Sequence, residues 1–232
     1  MKRKKANSSE RAGGVTRGTS SGPSTGRIAR RERKAFARTF RARISPLALK
    51  RASGSVIWDV DDNQYLDFSA GGSVANTGYC HPKVVRAATD ELQRLTHGLT
   101  PLFPNRAAVQ LAEELVKITP GSFEKRVWFG SSGSDAAETV YDFLPAATRR
   151  RKIITFFGSH HGFTVGAHLL SGHAASSRYL QSPNVVKVPY PYCYRCPFRK
   201  GESCCNYPID FLKKEVFTNI CPPDDAAGIL LE

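Results

Sequence analysis

The amino-acid sequence predicts an α/β fold with a mainly parallel sheet. Short apolar stretches of strand length lie at 126–129, 152–157, 185–188 and 227–231. Helical patterns follow Asp135 and span Ile209 to Phe217. Alternating strands and helices are typical of a parallel sheet that helices cover. Because 41% of the 232 residues are hydrophobic, the chain has enough apolar side chains to bury a core.

The first 44 residues form a basic leader that we predict to be disordered. They hold 14 of the 34 Lys and Arg residues but only two acidic residues, Glu10 and Glu32. Residues 1–26 are rich in Ser, Gly and Thr, a composition that buries too little apolar surface to fold. One face of a helix within 27–44 would carry Ile28, Phe36, Phe40 and Ile44. A solvated leader, contact with a membrane or nucleic acid, and a transit segment all stay open.

Outside the leader, basic and acidic residues nearly balance, because the leader carries most of the net charge of +14. This balance gives no reason to expect a polyanionic partner. The chain has no apolar run of about 18 residues, and no apolar region follows the N-terminal charges. We therefore expect a cytoplasmic protein whose body, outside the leader, has no membrane or nucleic-acid partner.

The segment before the alternating region predicts a hairpin, a loop and two helices. Val56–Trp58 and Tyr65–Phe68 flank an Asp/Asn cluster, and these residue types tolerate the positive φ of a hairpin turn. Residues 71–78 are too glycine-rich for a regular element. An amphipathic helix is predicted at Lys83–Thr96, and Asn105 is a good N-cap for the next helix.

A serine-rich loop, Gly130–Asp135, connects a strand candidate to a helix. This order places backbone N–H groups at a helix N-terminus, where a phosphate can approach closely. Ser131, Ser132 and Ser134 add hydroxyl donors. The loop matches neither a Walker loop nor a dinucleotide fingerprint. A phosphate-binding loop and an ordinary capped helix are both compatible with the pattern.

The sequence His160-His161-Gly162 follows the apolar stretch 152–157, where the carboxyl end of a strand is expected. Ligands of open α/β sheets bind at such ends. A histidine at this place is either a ligand contact or a hydrogen-bonded loop residue, and the pattern leaves both open.

Four of the six cysteines cluster as Cys-x2-Cys followed by Cys-Cys, and they are Cys193, Cys196, Cys204 and Cys205. The spacing makes them weak candidates for zinc or an iron–sulfur centre, since a second Cys-x2-Cys is missing. We therefore predict no metal site and expect thiols in a reducing compartment.

Several stretches in a fixed order carry a family resemblance. They are GSVIWDVDDNQYLDFSAGGSVANTGYCHPKVV, WFGSSGSDAAE, KIITFFGSHHGFTVGAHLLSGH, PYPYCYRCPF and AAGILLE. From about Ile44 to Glu232 the chain resembles the N-terminal part of class III aminotransferases, in a branch labelled 4-aminobutyrate aminotransferase or amino-acid epimerase. The resemblance implies a truncated large domain of fold type I and pyridoxal 5'-phosphate as the cofactor. It also implies a leader at 1–44, a small-domain segment at 45–95 and a partial cofactor-binding domain at 96–232.

The resemblance also implies roles for individual residues. His160 stands where the family usually has an aromatic residue on the pyridine ring, and Gly72 falls in the loop that lines the substrate pocket. The implied cofactor-binding residues are Ser132, Gly133, Ser134, His160, His161, Gly162 and Glu232. The Schiff-base lysine and the aspartate that pairs with the pyridine nitrogen correspond to positions beyond Glu232, so we expect no catalytic residue within the chain. Two departures from the family pattern are Pro145 inside a helix and Asp62 in the hairpin turn.

The implied function is an aminotransferase that moves an amino group from an amine or amino acid, such as 4-aminobutyrate, to a 2-oxo acid. The implied partners are these small molecules and a second copy of the chain in a homodimer. Two alternatives stay open. One is an amino-acid epimerase or aminomutase of the same fold, and the other is a catalytically inactive truncated paralogue or pseudogene product.

Overall fold

The computed structural model describes residues 22–37, 45, 47–100, 102–174, 180–196 and 207–232. The chain divides into two compact units, one that ends at Asn105 and one that runs from Arg106 to Glu232. The division into a small-domain segment at 45–95 and a large-domain segment at 96–232 stays a prediction. Within the described ranges, no helix combines the length and apolar character needed to cross a bilayer.

The described part of the first unit contains two longer helices, a four-residue helical turn at Ala70–Ser73 and a three-stranded antiparallel sheet. Its elements are α1 (Pro23–Ala35), β1 (Leu49–Ser53), β2 (Val56–Asp59), β3 (Gln64–Leu66) and α2 (Pro82–Arg94). The strands lie in the order β1-β2-β3, and Ile57 of β2 pairs with Tyr65 of β3. The hairpin predicted from the sequence is confirmed, whereas β1 was not anticipated.

Asp59 organises the turn of this hairpin. Its buried carboxylate accepts hydrogen bonds from the backbone N–H groups of Asp61 and Asn63, both at 2.9 Å, and from the Tyr65 hydroxyl at 3.1 Å. Burial raises the pKa of Asp59, but hydrogen bonds from Asn63, Tyr65 and Asp61 outweigh it, so the pKa is lowered. Asp62 has φ of 61°, so an aspartate supplies the left-handed residue of the turn.

The prediction of a disordered leader is wrong at Pro23–Ala35, which form α1. The backbone N–H groups of Ser24 and Thr25 donate to the Asp61 carboxylate at 3.1 and 3.0 Å. Asp61 therefore satisfies the first N–H groups of α1 from the hairpin turn. This partner is distant in sequence, and composition alone did not reveal it.

The apolar face predicted for the leader is not the face that packs. Thr25 is fully buried, whereas Ile28 is 41% exposed and Phe36 is exposed as well. Phe40, Ile44 and residues 1–21 lie outside the described residues.

The second unit has the predicted α/β architecture with a parallel sheet. Its elements are α3 (Arg106–Ile118), α4 (Gly133–Thr148), β4 (Lys152–Phe156), α5 (Val165–Leu170), β5 (Val185–Val188), α6 (Tyr207–Phe211), a π-helix (Leu212–Ile220) and β6 (Ala226–Ile229). The strands lie in the order β5-β4-β6, and β4 is parallel to both neighbours. The helix predicted at 209–217 is confirmed, although most of it has π geometry.

The core lies on both faces of the central strand β4. Ile154 packs on one face with Val216 and Cys221, and Ile153 packs on the other with Ala137 and Leu170. Both isoleucines are almost completely buried. Burial on two faces explains why β4 is a continuous apolar run in the sequence.

The strand predicted at Arg126–Phe129 is wrong, since these residues form no regular element. Trp128 is 54% exposed and Phe129 is 43% exposed, so the described residues leave about half of each side chain uncovered. A strand also requires a hydrogen-bonding neighbour, and the described sheet ends at β5 and β6.

Candidate active site

The candidate site lies at the carboxyl edge of the parallel sheet. His160, His161 and Gly162 follow β4, Tyr190 follows β5, and Glu232 follows β6. The carboxyl ends of parallel strands meet at one edge, which is where open α/β sheets bind ligands. The location predicted for the histidine loop is therefore confirmed by the topology.

The N-terminus of α4 is capped by its own first turn. The Ser132 hydroxyl accepts a hydrogen bond from the Asp135 N–H at 3.2 Å, and the Asp135 carboxylate accepts one from the Ser131 N–H at 2.9 Å. A Cβ added at Gly133 would have nothing within 4 Å, so open space adjoins the helix N-terminus. The N–H groups of a first helical turn have no intrahelical partner and attract anions.

Ser134 joins this helix to the histidine loop. Its hydroxyl oxygen accepts a hydrogen bond from the Phe163 N–H at 3.0 Å, and its carbonyl accepts one from the Thr164 hydroxyl at 3.2 Å. Since the hydroxyl accepts from Phe163, its own proton is left for donation to a ligand. The loop after β4 and the N-terminus of α4 are thus held together at Ser134.

Gly162 is required for this close approach. A Cβ at residue 162 would come closest to the Ser134 hydroxyl oxygen and lie 2.7 Å from the Ser134 Cα. The φ of Gly162 is 140°, a conformation that residues with a side chain rarely adopt. Both the space and the backbone conformation therefore require glycine.

Glu138, which the sequence analysis did not single out, holds the other end of the histidine loop. Its carboxylate accepts hydrogen bonds from the N–H groups of Gly166 and Ala167 at 2.7 and 3.1 Å, which caps α5. Its pKa is lowered, mainly by a hydrogen bond with the Thr164 side chain, with burial acting in the opposite direction. The signal available in the sequence was its spacing, since Glu138 follows Ser134 by one helical turn.

The two histidines have different environments. The His160 imidazole is exposed and meets the Phe163 ring edge-on, with centroids 4.9 Å apart. The backbone N–H of His161 donates to the Ser171 hydroxyl at 2.8 Å. The Nε2 atom of the His161 ring is buried and has no partner among the described residues. Burial lowers the pKa of His161, which favours the neutral imidazole, and the charge of Glu232 opposes this shift. Only His160 presents its imidazole at the surface of the loop.

Glu232 and Tyr190 complete the edge. The Glu232 carboxylate accepts a hydrogen bond from the His160 N–H at 2.5 Å, and the Glu232 N–H donates to the Tyr190 hydroxyl at 3.0 Å. The Tyr190 ring stacks on Phe156 at a centroid distance of 4.5 Å. Tyr190, a residue that the sequence analysis missed, therefore links the ends of all three strands.

Gly72 lies in the first unit, within an unusual turn. Ala70, Gly71, Gly72 and Ser73 all have positive φ, so the loop is a single left-handed turn. The Asp67 carboxylate stabilises this turn, because it accepts hydrogen bonds from the Gly71 N–H at 2.8 Å and from the Tyr79 hydroxyl at 2.7 Å. The Ser69 hydroxyl and Tyr79 lower the pKa of Asp67 far below its usual range. The role of Gly72 in a substrate pocket stays a prediction.

The predicted cysteine cluster is described only in part. Cys193 belongs to a 3₁₀ turn and Cys196 follows it, whereas Cys204 and Cys205 lie outside the described residues. Across the described ranges, His, Cys, Asp and Glu side chains form no group of three or more that could hold a metal ion.

Comparison with known proteins identifies related sequences. A family model described as aminotransferase class-III matches residues 39–232. The chain is 34% identical over 219 residues to the alanine/serine racemase of Pyrococcus horikoshii, which covers 91% of this chain and 46% of that protein. It is 37% identical to the isoleucine 2-epimerase of Lentilactobacillus buchneri, over 87% of this chain and 45% of that protein. The 4-aminobutyrate aminotransferase GabT of Escherichia coli is 32% identical, over 82% and 43%.

Solved structures share the fold. The omega transaminase of Pseudomonas jessenii in complex with PMP superposes with a TM-score of 0.76 at 24% identity, over 86% of this chain and 47% of that chain. The taurine:2-oxoglutarate aminotransferase of Bifidobacterium kashiwanohense, in complex with PLP and glutamate, gives the same TM-score and identity over 90% and 48%. The chain therefore has the fold of pyridoxal-phosphate-dependent transaminases, and it spans about half the length of the proteins it matches.

Proposed function

Because the chain belongs to the class III aminotransferase family, we propose that it is the part of a pyridoxal-phosphate enzyme that holds the cofactor's phosphate and covers its ring. The observation that carries this proposal is the link at Ser134. One residue there joins the anion-attracting N-terminus of α4 to the loop that bears His160.

The residues at the N-terminus of α4 fit a phosphate group. Gly133 and Ser134 supply N–H groups of the first helical turn, and open space adjoins Gly133. Ser132 and Ser134 supply hydroxyl groups, and both oxygens already accept a backbone N–H, which leaves their protons for a phosphate. We propose these three residues as the phosphate contacts.

His160 is the residue that we propose to stack on the cofactor ring. Its backbone is fixed by the Glu232 carboxylate, while its imidazole is exposed and supported at the edge by Phe163. His161 fits a different role, because its buried Nε2 has no partner in the described part of the chain, a condition that a bound polar group would relieve. Gly162 brings this loop onto Ser134, and Glu232 holds the loop at the sheet edge.

The bound cofactor would supply an electron sink that weakens bonds at the amine-bearing carbon of a substrate. This chain's own residues would bind the phosphate, orient the ring and exclude water from one face of the ring. For the protein that contains this chain, we propose transfer of an amino group from an amine or amino acid, such as 4-aminobutyrate, to a 2-oxo acid. We further propose that it acts as a homodimer.

A second candidate activity is racemisation or epimerisation of an amino acid. It is favoured by the racemase and the epimerase described above, which are 34% and 37% identical and cover more of this chain than the 4-aminobutyrate aminotransferase does. The site residues described here serve both reactions, because both need the phosphate held and the ring covered.

The test uses the purified protein that contains this chain, loaded with pyridoxal phosphate. One assay measures glutamate formed from 4-aminobutyrate and 2-oxoglutarate, and the other measures D-allo-isoleucine formed from L-isoleucine without a 2-oxo acid. Glutamate alone supports the aminotransferase, and the isoleucine product alone supports the epimerase. If neither product forms although the cofactor binds, transfer from 4-aminobutyrate and epimerisation of isoleucine are both wrong.

A further inference from the structure

Two cysteines lie on one tight turn just beyond the site. Cys193, Tyr194 and Arg195 form a 3₁₀ helix, and Cys196 is its C-cap. Residues three apart in a 3₁₀ helix lie on the same side, and a rise of about 2.0 Å per residue separates their Cα atoms by about 6 Å. Disulfides have Cα separations of about 4.4–6.8 Å, so the Cα separation of such a turn falls within the range of a bridge between Cys193 and Cys196.

Both thiols are accessible to a small oxidant. Cys193 is exposed and Cys196 is partly exposed. Cys221, by contrast, is completely buried, and burial raises the pKa of its thiol. Since exchange requires an approach to the sulfur, Cys221 provides a natural control within the same unit.

The turn is connected to the candidate site by a short piece of chain. Only Pro191 and Tyr192 separate it from Tyr190. Tyr190 stacks on Phe156 and shares two hydrogen bonds with Glu232, which in turn holds the His160 N–H. A covalent closure of the turn would therefore restrain the segment that supports the edge of the site.

We propose that Cys193 and Cys196 form a reversible disulfide bond with each other. The bond forms by exchange with a low-molecular-weight disulfide such as oxidised glutathione. One cysteine loses its proton to solvent and attacks a sulfur of the oxidant, which releases one glutathione thiolate. The second cysteine loses its proton and attacks the mixed disulfide, which releases the other glutathione thiolate. The two cysteines are oxidised by two electrons, and oxidised glutathione is reduced to two thiols. Such redox-responsive pairs are the usual form of disulfide in reducing compartments.

The test uses the full chain, reduced first and then equilibrated with oxidised glutathione. Remaining thiols are blocked, and the protein is digested with trypsin, which cuts after Arg195 and so separates Cys193 from Cys196. We expect the two resulting peptides to stay joined until a reductant is added. Two separate, fully alkylated peptides would refute the proposal.

Variants identify the partners. In a Cys204→Ser/Cys205→Ser background the two peptides should still stay joined, because the bridge needs neither residue. Cys193→Ser should leave Cys196 carrying one glutathione, whereas Cys221→Ser should change nothing. A bond from Cys193 or Cys196 to Cys204 or Cys205 would overturn the assignment. So would one zinc ion per purified chain that protects both thiols and is lost in Cys193→Ser.

Discussion

Replacing Gly162 by alanine tests the contact that joins the histidine loop to α4. The new Cβ would lie closest to the Ser134 hydroxyl oxygen, 2.7 Å from the Ser134 Cα and 2.8 Å from its Cβ. Two of these three atoms belong to a side chain anchored in the first turn of a helix, so the loop has to move away. Movement of the loop breaks the hydrogen bond from Phe163 to Ser134.

The expected cost follows from these two effects. A residue with a side chain held at a φ of 140° loses about 1–3 kcal/mol. Loss of one hydrogen bond costs about 1 kcal/mol more. We therefore expect Gly162→Ala to lower the free energy of unfolding by about 2–4 kcal/mol, measured by urea denaturation followed by circular dichroism.

Gly133→Ala is the matched control for stability. A Cβ at residue 133 meets nothing within 4 Å, and the residue is the first of α4, where alanine is well tolerated. Its unfolding free energy should stay within about 0.5 kcal/mol of the wild type. Equal stability of the two variants would show that residue 162 does not approach Ser134 as described.

Three further predictions concern neighbouring groups. Glu138→Gln should flatten the pH dependence of the unfolding free energy. Because the pKa of Glu138 is lowered in the fold, its carboxylate stabilises the protein above pH 4.5, and this contribution is lost as the pH falls. Identical acid titrations of unfolding for variant and wild type would contradict this. Asp61→Ala should speed amide hydrogen exchange at Thr25 by freeing the first turn of α1. The control Asp62→Asn, which keeps a residue type suited to the positive φ of position 62 and removes only the charge of an exposed contact with Lys50, should not. His160→Tyr should strengthen the binding of pyridoxal phosphate by about 0.5–1.5 kcal/mol, because the phenol ring offers more stacking area. Fluorescence titration should show a dissociation constant that is about three- to tenfold lower. An unchanged dissociation constant would show that His160 does not stack on the ring.

The elements predicted correctly are those whose evidence is local. The strand β4 is an apolar run because both of its faces are buried, and the capped N-terminus of α4 is encoded by Ser132 and Asp135 three residues apart. The hairpin turn is similarly encoded by the cluster around Asp59. In each case the residues that form the element also stabilise it, so a short window of sequence is sufficient.

The errors arise where the deciding partner is distant in sequence. The start of α1 at Pro23 was missed, although a helix within 27–44 was considered, because its cap is Asp61 in the hairpin turn and no local signal in the Ser- and Gly-rich segment announces that bond. The strand at Arg126–Phe129 was predicted from an apolar run, but a run becomes a strand only beside another strand. Glu138 and Tyr190 were overlooked for the same reason, since their partners lie 28 and 42 residues away.

Pro145 shows how a departure from the family pattern is tolerated. An interior proline removes one helix hydrogen bond and is expected to cost about 3 kcal/mol. Helix α4 nevertheless continues through Pro145 to Thr148, and the Thr148 hydroxyl donates to the Leu144 carbonyl at 2.8 Å. Pro145 lies near the end of the helix, and the hydrogen bond that it removes would run to the Tyr141 carbonyl, about two turns beyond Ser134. The sequence departure therefore does not reach the anion-attracting end of α4, and the geometry on which the proposed function depends is preserved.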